Sequence, residues 1–390
     1  MSSYPSAVSA KDVLYLALDY AAVTFGGQFR EVALGLLITQ LNPAVSSYAW
    51  YFLVGSIPGI VLVRWYGWAS RVWPPRRVLI LSYLGRILLV LVLWRVQNFW
   101  ETLACLFGIA AGSDLYSSSQ AHYIAHENDL PATRRVVVRL RQAASALMMV
   151  GPVVAGLVLT MFGFRAGFLF CALFYGVAVF WVSRVSPRPV GGCAALPAKR
   201  CVTHRWRIDR ATMAFLGLSF LTWQANVLAM AYTFHLLHRQ SFGYGITLAV
   251  WGGAGFVSGV ALPRIRSHRQ WLWVALMFLV LALCWTVLAH GVSFWPFVAI
   301  GGFEGVATWV IRDVVVAHVL AAAPAGQAGV AQARLGFFDK VGSVAGTVLV
   351  IVMPGRFLIL PWFHVLAWCA AVVGVTFLVV GRWRHSTPIA

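Results

Sequence analysis

The chain contains 390 residues, of which 61% are apolar and 11% are charged, and its formal net charge is +19. Soluble domains contain roughly a quarter charged residues, so this composition excludes an ordinary soluble protein. Apolar runs of roughly twenty residues, the length that spans hydrocarbon as a helix, recur along the sequence. The sequence therefore predicts an all-α membrane protein.

About twelve transmembrane helices are predicted in chain order. They cover residues 13–40, 46–66, 76–96, 101–123, 136–160, 165–184, 210–237, 243–263, 270–290, 294–319, 328–353 and 357–381. The widest polar gap, residues 185–209, contains proline, glycine and several basic residues, a composition typical of a loop. We therefore predict an N-terminal six-helix bundle at 1–184, a cytoplasmic linker at 185–209 and a C-terminal six-helix bundle at 210–390.

The basic residues predict the orientation of these helices. If both termini are cytoplasmic, most of the 30 lysine and arginine residues lie on the cytoplasmic side, as the positive-inside rule requires. The net charge then faces anionic lipid, and no nucleic-acid partner is expected. We expect a multi-pass protein of the bacterial inner membrane that acts as a monomer, with the lipid bilayer and a small-molecule substrate as its partners.

A weak internal repeat relates the two predicted bundles. Aligning Arg71 with Arg264 also aligns Arg76 with Arg269, and Arg141 with Arg334. The matches fall at equivalent places in the two halves, as expected for a transporter built by duplication.

The loop after the second predicted helix contains Gly67, Arg71, Arg76 and Arg77. It resembles the loop signature of the major facilitator superfamily, G-x-x-x-D-R-x-G-R-R. Ser70 stands at the acidic position, and a Trp-Pro-Pro stretch replaces the central glycine. The resemblance implies the major facilitator fold, transport by alternating access, and a place for these four residues at the cytoplasmic gate. The missing acid puts the acid-dependent part of that gate in question.

The fifth predicted helix contains Gly151, Pro152 and Gly156, which resemble the G-P-x-x-G-G motif of antiporters in this superfamily. Glycine and proline permit a bend and a close helix contact, and ordinary small-residue packing would explain the string as well. The stretch from 108 to 168 resembles the enterobactin-exporter-like branch, which implies export. The arginine of many drug/proton antiporters is replaced here by Ala104 and Cys105 before Gly108.

Twelve ionisable residues lie within the predicted helices. Such residues are costly in hydrocarbon and usually face a cavity or a partner, so each is either a member of a structural ion pair or a functional group. Depth along the helices predicts that Arg86 pairs with Asp114. Four residues near the cytoplasm are expected to form contacts between helices at the gate. The acids are Asp19, Glu31, Asp114, Glu304, Asp313 and Asp339; the bases are Arg30, Arg86, Arg141, Arg312, Arg334 and Lys340; the gate residues are Asp19, Arg141, Asp313 and Arg334.

A proton-coupled transporter needs a carboxylate that gains and loses a proton near neutral pH. The candidates are Asp19, Asp114 and Glu304, and also Asp339, although Lys340 beside it would hold it ionised. No phosphate-binding Gly-Lys-Ser/Thr loop is found in the sequence. We therefore expect no cofactor, no enzymatic activity and a proton gradient as the energy source.

Other polar and aromatic residues within the helices are candidates for a substrate cavity. Most tryptophans of a membrane protein lie at its interfaces or face lipid, so only those near polar groups are included. The cysteine and histidine spacings match no strong zinc pattern, and no metal site is predicted. The cavity candidates are Arg30, Glu31, Arg86, Tyr116, Gln120, Trp223, Gln224, Asn226, Trp309 and Lys340.

Three functions remain open at this stage. The first is a proton-coupled exporter of a small organic solute, siderophore- or drug-like, and the buried arginines would suit an anion. The second is an importer of a similar solute. The third is a lipid or lysolipid flippase, which should have a lateral opening lined by apolar residues, or a receptor that does not transport.

Overall fold

A computed structural model describes residues 10–125, 130–186, 209–239, 241–261, 269–322, 328–352 and 359–383. These residues form helices and no strand, which confirms the predicted all-α fold. The helices are α1 Ala10–Leu41, α2 Val45–Val61, α3 Val63–Val72, α4 Pro75–Leu93, α5 Phe99–Ala125, α6 Leu130–Phe162, α7 Ala166–Arg184, α8 Arg210–Ala231, α9 Ser241–Ala261, α10 Gln270–Ala289, α11 Phe294–Ala322, α12 Ala328–Val352 and α13 Ile359–Trp383. A π-helical turn at Tyr232–Leu236 continues α8.

Seven of these helices contain segments that are long and apolar enough to cross a membrane: α1, α7, α8, α10, α11, α12 and α13. Shorter apolar segments lie in α2 and in the second half of α6. Helices α4 and α5 carry Arg86 and Asp114 within their length and pack against each other, and α9 packs against α6 and α11. Each of the twelve predicted spans therefore corresponds to a helix.

The second predicted span is shorter than expected, because α2 ends at Val61 and α3 begins at Val63. Helix α3 is amphipathic: Tyr66 and Ala69 are buried against α4 and α5, whereas Trp65 and Trp68 are exposed. Tryptophan on one face of such a helix suits the boundary between lipid and water. The signature residues Gly67 and Arg71 thus lie in a helix and not in an open loop, and their side chains lie outside the described set.

The helices before residue 185 pack mainly with one another, as do those after residue 209. Helix α1 contacts α6 and α7, and α4 contacts α5 and α7. In the second group α10 contacts α11 and α13, α8 contacts α12, and α9 contacts α11. We refer to these groups as the N-half and the C-half. The exact domain boundaries stay a prediction, since residues 187–208 of the linker lie outside the described residues.

Glycines let the two halves approach closely where α6 meets α9. A Cβ on Gly156 would lie 2.7 Å from the backbone oxygen of Ser241, and a Cβ on Gly245 would collide with the backbone oxygen of Pro152. On the other side of α6, a Cβ on Gly151 would lie 2.7 Å from Gln28 of α1. The Gly-Pro string therefore lies within a dense helix contact of the small-residue kind.

Hydroxyl groups join the halves at one end of the bundle, which we call the Tyr48 end. The Tyr48 hydroxyl lies 2.9 Å from the Thr39 hydroxyl and 3.3 Å from His235 Nε2. The Thr160 and Ser241 hydroxyls are 2.9 Å apart. The charge distribution predicts that this end faces away from the cytoplasm. Nearer the middle of the bundle, α2 contacts α12, where the Ser56 and Ser343 hydroxyls lie 2.9 Å apart.

The glycine contact gives a first prediction. Gly245→Val should disfavour the closed Tyr48 end, since the added Cβ has no room beside the Pro152 oxygen, and overpacking of this kind costs about 1–3 kcal/mol. Spin labels placed on α2 and on the π-helical turn should report a longer distance between the halves. Gly259→Val is the matched control on the same helix, because no atom lies within 4 Å of its added Cβ. Equal distances in both variants would contradict the prediction.

The start of α8 is fixed by Asp209. Its carboxylate accepts a hydrogen bond from the Thr212 backbone N–H at 2.8 Å, and Arg334 of α12 donates to it at 3.0 Å. Partial burial raises the pKa of Asp209, but the Thr212 hydrogen bonds and the Arg334 charge outweigh it, so that the net pKa is lowered. This N-cap therefore connects α8 to α12 at the end opposite Tyr48.

Asp209→Ala should lower the free energy of unfolding at neutral pH by about 1 kcal/mol, the usual value of an N-cap. The lowered pKa means that the contribution is present above the pKa of an unfolded aspartate and is lost as pH falls through the folded value. Thermal unfolding in detergent should therefore show a gap between wild type and variant that narrows in acid. A gap independent of pH would show that the carboxylate charge is not involved.

Candidate functional site

A central cavity of about 400 Å³ lies between the halves. Residues from α1, α2 and α6 line it on one side, and residues from α8, α9, α10, α11 and α12 on the other. Its wall is rich in aromatic rings, and Trp251 and Trp309 pack together with their centroids 5.5 Å apart. The aromatic lining residues are Phe52, Phe215, Trp223, Tyr244, Trp251, Phe297 and Trp309.

Charged side chains of the C-half lie on the same wall. Arg312 pairs with Asp339 at 3.8 Å, and the Ser219 hydroxyl donates to Asp339 at 2.5 Å. Glu304 is only 7% exposed, and no basic side chain of the described residues lies within ion-pair distance of it. Glu304 and Arg312, eight residues apart on α11, line one cavity.

A smaller cavity of about 220 Å³ adjoins the central one on the side of the N-half. Glu31, Phe52 and Trp223 line both cavities, so these three residues form their common boundary. The smaller cavity also contains the side chains of Arg30, Ser56, Ser113, Asp114 and Lys340. Among the described residues, four charged side chains line each cavity, and the large cavity has most of the aromatic surface.

Asp114 and Lys340 approach each other across Gly59 of α2. A Cβ on Gly59 would lie 3.0 Å from Asp114 Oδ2 and 3.1 Å from Lys340 Cε, so glycine leaves the space that both side chains use. The expected pairing of Arg86 with Asp114 is therefore wrong. Asp114 faces the C-half, whereas Arg86 faces the interior of the N-half.

Arg86 lies in a cluster of tyrosines in the N-half. It is 2% exposed, and its guanidinium carbon lies 4.6, 5.3 and 4.8 Å from the ring centroids of Tyr83, Tyr116 and Tyr175. Asp19 accepts hydrogen bonds from the hydroxyls of Tyr83 at 2.5 Å and Tyr116 at 3.0 Å. The aromatic rings and hydroxyls thus separate the two charges and compensate both.

A second charged group connects this cluster to the cavities. Arg30 pairs with Glu31 at 2.5 Å and donates to the Tyr175 hydroxyl at 3.1 Å. The Tyr51 hydroxyl donates to the other oxygen of Glu31. Polar contacts therefore continue from Asp19, deep in the N-half, to Glu31 on the wall of the central cavity.

Several cavity candidates lie where the sequence placed them, and others do not. Trp223, Asn226 and Trp309 line the central cavity, and Lys340 lines the small one. Gln224 is 1% exposed and accepts a hydrogen bond from Trp362 at 3.1 Å, so it faces α13 because it lies on the other side of α8. Arg86, Tyr116 and Gln120, whose amide donates to Tyr116 at 2.8 Å, belong to the tyrosine cluster and not to either cavity wall.

The gate candidates mostly contact their own half. Arg76 donates to the backbone oxygen of Ser183, Asp313 accepts from the Ser258 hydroxyl at 3.1 Å, and Arg334 pairs with Asp209. Arg77 is exposed, and the side chains of Arg71 and Arg141 lie outside the described set. No group of three or more metal-ligating side chains occurs in the described part of the chain.

Sequence reasoning missed Tyr51, Tyr83, Tyr175, Ser219 and Trp251. A signal existed for Tyr83, since it lies three residues before Arg86 and three-residue spacing places both on one helix face. No comparable signal pointed to Tyr175, which approaches Arg86 from α7.

The sequence profile of the Major Facilitator Superfamily matches residues 17–347. The chain belongs to this superfamily. It is a multi-pass membrane transport protein and not an enzyme, as predicted. None of the curated proteins matches the sequence significantly.

Solved structures of other transporters share the fold. A bacterial homologue of the iron transporter ferroportin, in its inward-facing state, is 13% identical, with a TM-score of 0.74 over 98% of this chain and 100% of that one. The nucleoside transporter NupG is 12% identical, with a TM-score of 0.72 over 94% and 98%. The POT family transporter PepTSo is 11% identical, with a TM-score of 0.75 over 99% and 100%. Identities this low establish the fold alone.

The tyrosine cluster gives a further prediction. Arg86→Gln should destabilise the protein by roughly 3–5 kcal/mol, because it leaves the buried Asp19 without a nearby cation. The double variant Arg86→Gln with Asp19→Asn should recover part of this loss, since both charges are then absent. Thermal unfolding in detergent measures the cycle, and Arg77→Gln, exposed on the same helix, is the control. Additive losses in the double variant would contradict the coupling.

Proposed function

We propose that the chain is a proton-coupled secondary transporter that exports a small amphipathic organic solute by alternating access. The observation that carries this proposal is the central cavity between the halves, which contains the buried carboxylate Glu304. Its volume of about 400 Å³ lies within the range of cavities that hold small organic molecules.

The contacts at the Tyr48 end support alternation between two states. They include a few hydrogen bonds of hydroxyl groups and glycine surfaces that pack closely. Such contacts separate at modest cost, since a hydrogen bond contributes only about 0.5–1.5 kcal/mol. A solute that binds the opposite state better by a few kcal/mol could therefore shift the equilibrium.

The four candidate proton carriers have different surroundings, and these favour Glu304. Asp339 is paired with Arg312, Asp19 is held by two tyrosines beside Arg86, and Asp114 faces Lys340. Glu304 is buried on the wall of the central cavity without a basic partner among the described residues. An isolated buried carboxylate is costly as an anion, and this setting suits a group that binds and releases a proton during the cycle.

The cavity wall favours a solute with an aromatic or apolar body. The buried arginines predict an anionic solute, but Arg30 and Arg312 form ion pairs with Glu31 and Asp339. The direction of transport rests on the resemblance of the α6 string to the antiporter motif, and import of a similar solute is the alternative that the experiment distinguishes.

A flippase receives less support. An apolar cleft of about 680 Å³ lies between α8, α12 and α13, and it is the kind of lateral opening that a flippase needs. However, its described lining residues include none that line the central cavity. A lipid in this cleft would therefore lie on the outer surface of the C-half and not between the halves.

Glu304→Gln should strongly reduce transport driven by a pH gradient but preserve exchange of solute without a gradient. Proteoliposomes loaded with fluorescent aromatic solutes of positive, negative, zwitterionic or no charge provide both measurements. We expect accumulation to fall by about 5-fold to 150-fold, the range of typical coupling energies. Imposing the gradient in each direction distinguishes export from import.

Glu101→Gln, an exposed carboxylate in the first turn of α5, is the matched control and should transport normally. Full gradient-driven transport by Glu304→Gln would remove Glu304 as the carrier. Absence of exchange by the wild type for every solute would contradict the proposed function itself.

A further inference from the structure

The small cavity contains both signs of charge and adjoins the larger aromatic cavity, whose charged lining residues are Glu31, Glu304, Arg312 and Asp339. Arg30, Asp114 and Lys340 line the small cavity, and Trp223 and Phe52 separate it from the larger one. The Phe52 and Trp223 rings, one from each half, lie edge to face at 5.5 Å. A solute that passes this boundary would have its charged end and its apolar end in different surroundings.

Arg30 and Glu31 of the small cavity pair with each other, but two buried polar atoms of its lining residues have no partner among the described residues. Asp114 Oδ2 is buried and has no hydrogen-bond partner in the described part of the chain, and Arg30 Nε is in the same condition. Buried polar atoms of native proteins are hydrogen-bonded in the great majority of cases, and an unsatisfied group costs about 1–3 kcal/mol. The residues that carry these two atoms line the small cavity.

The central cavity contains exceptions of the same kind. Thr308 Oγ1 and Trp309 Nε1 are buried without a hydrogen-bond partner among the described atoms, and both residues line the cavity. Unsatisfied donors and acceptors therefore occur in both compartments, together with space for the groups that would satisfy them.

We propose that the small cavity binds a zwitterionic head group, with an ammonium at Asp114 and a carboxylate at Lys340. The aromatic cavity holds the body of the same solute. This inference rests on the proposed function and names its substrate class: an amino acid derivative with a bulky apolar or aromatic body. Gly59 is essential to the arrangement, because a larger side chain would fill the space beside Asp114 and Lys340. Without that side chain, one head group can contact both charged groups.

A simpler role for Asp114 and Lys340 is a direct attraction between the halves. The two groups come from α5 of the N-half and α12 of the C-half and meet at Gly59 of α2, so such an attraction would favour one conformational state. It would not distinguish between head groups, whereas a binding site would. Head-group selectivity is therefore the property to measure.

Four probes with one body and different charges test the proposal: tryptophan, its methyl ester, its N-acetyl derivative and its N-acetyl methyl ester. They are zwitterionic, cationic, anionic and neutral. Calorimetric titration of the purified wild-type protein should show tryptophan binding about 30-fold more tightly than either singly charged probe, as expected when one partner of a buried charge pair is removed. Equal affinities of the four probes, or no binding of any of them, would overturn the proposal.

Two variants test which residue binds the ammonium group and which binds the carboxylate. Asp114→Asn should bind tryptophan and its N-acetyl derivative equally, because the ammonium no longer contributes. Lys340→Gln should bind tryptophan and its methyl ester equally. Glu101→Gln is the control and should keep the wild-type order. If either cavity variant weakens all four probes by one common factor, the attraction between the halves is the correct explanation and the head-group proposal fails.

The same probes distinguish failure of the head-group proposal from failure of the transport proposal. Exchange of radiolabelled tryptophan across proteoliposomes reports transport, whereas titration reports binding. Selective binding without exchange would contradict the transport proposal and leave the head-group site intact. Exchange of all four probes at equal rates and with equal affinities would support transport and contradict the head-group site.

Discussion

The cost of an ionised side chain in hydrocarbon determines how the interior of this bundle is arranged. Some charges are compensated by an adjacent opposite charge, as in Arg30 with Glu31 and Arg312 with Asp339. Arg86 is compensated by tyrosine rings, whose faces attract cations. Glu304, Asp114 and Lys340 have no ion-pair partner within 4 Å among the described residues, and all three lie on cavity walls. The residues whose charge is not compensated by a neighbouring group are therefore the best candidates for a functional role.

The second constraint is how closely the halves must approach. In a membrane, apolar surface gives little reason for helices to associate, and close packing of small residues takes its place. Helices α6 and α9 follow this rule, since each presents glycines to the backbone of the other. The sequence around Gly151, Pro152 and Gly156, which resembles an antiporter motif, is thus explained by helix packing. A functional role of these residues would arise through this contact between the halves.

Much of the fold was predictable from the sequence, because a helix that crosses hydrocarbon needs a long apolar run and leaves a clear pattern. The presence of charged residues within these helices was also predictable. The rotation of each helix about its own axis was not predictable. Helices that are apolar on nearly every side have no hydrophobic periodicity that would show which face points inward. The wrong pairing of Arg86 with Asp114, and the position of Gln224 against Trp362, both follow from that gap.

The boundary between the two cavities has a consequence for the energetics of transport. Phe52 belongs to the N-half and Trp223 to the C-half, so their ring contact exists only while the halves are close. If the halves move apart at this point, the two compartments separate as well, and a rigid solute can no longer occupy both. Its affinity would then fall in one conformation without any change in either compartment. A solute of fixed length would in this way provide the difference in affinity between states that drives the conformational equilibrium.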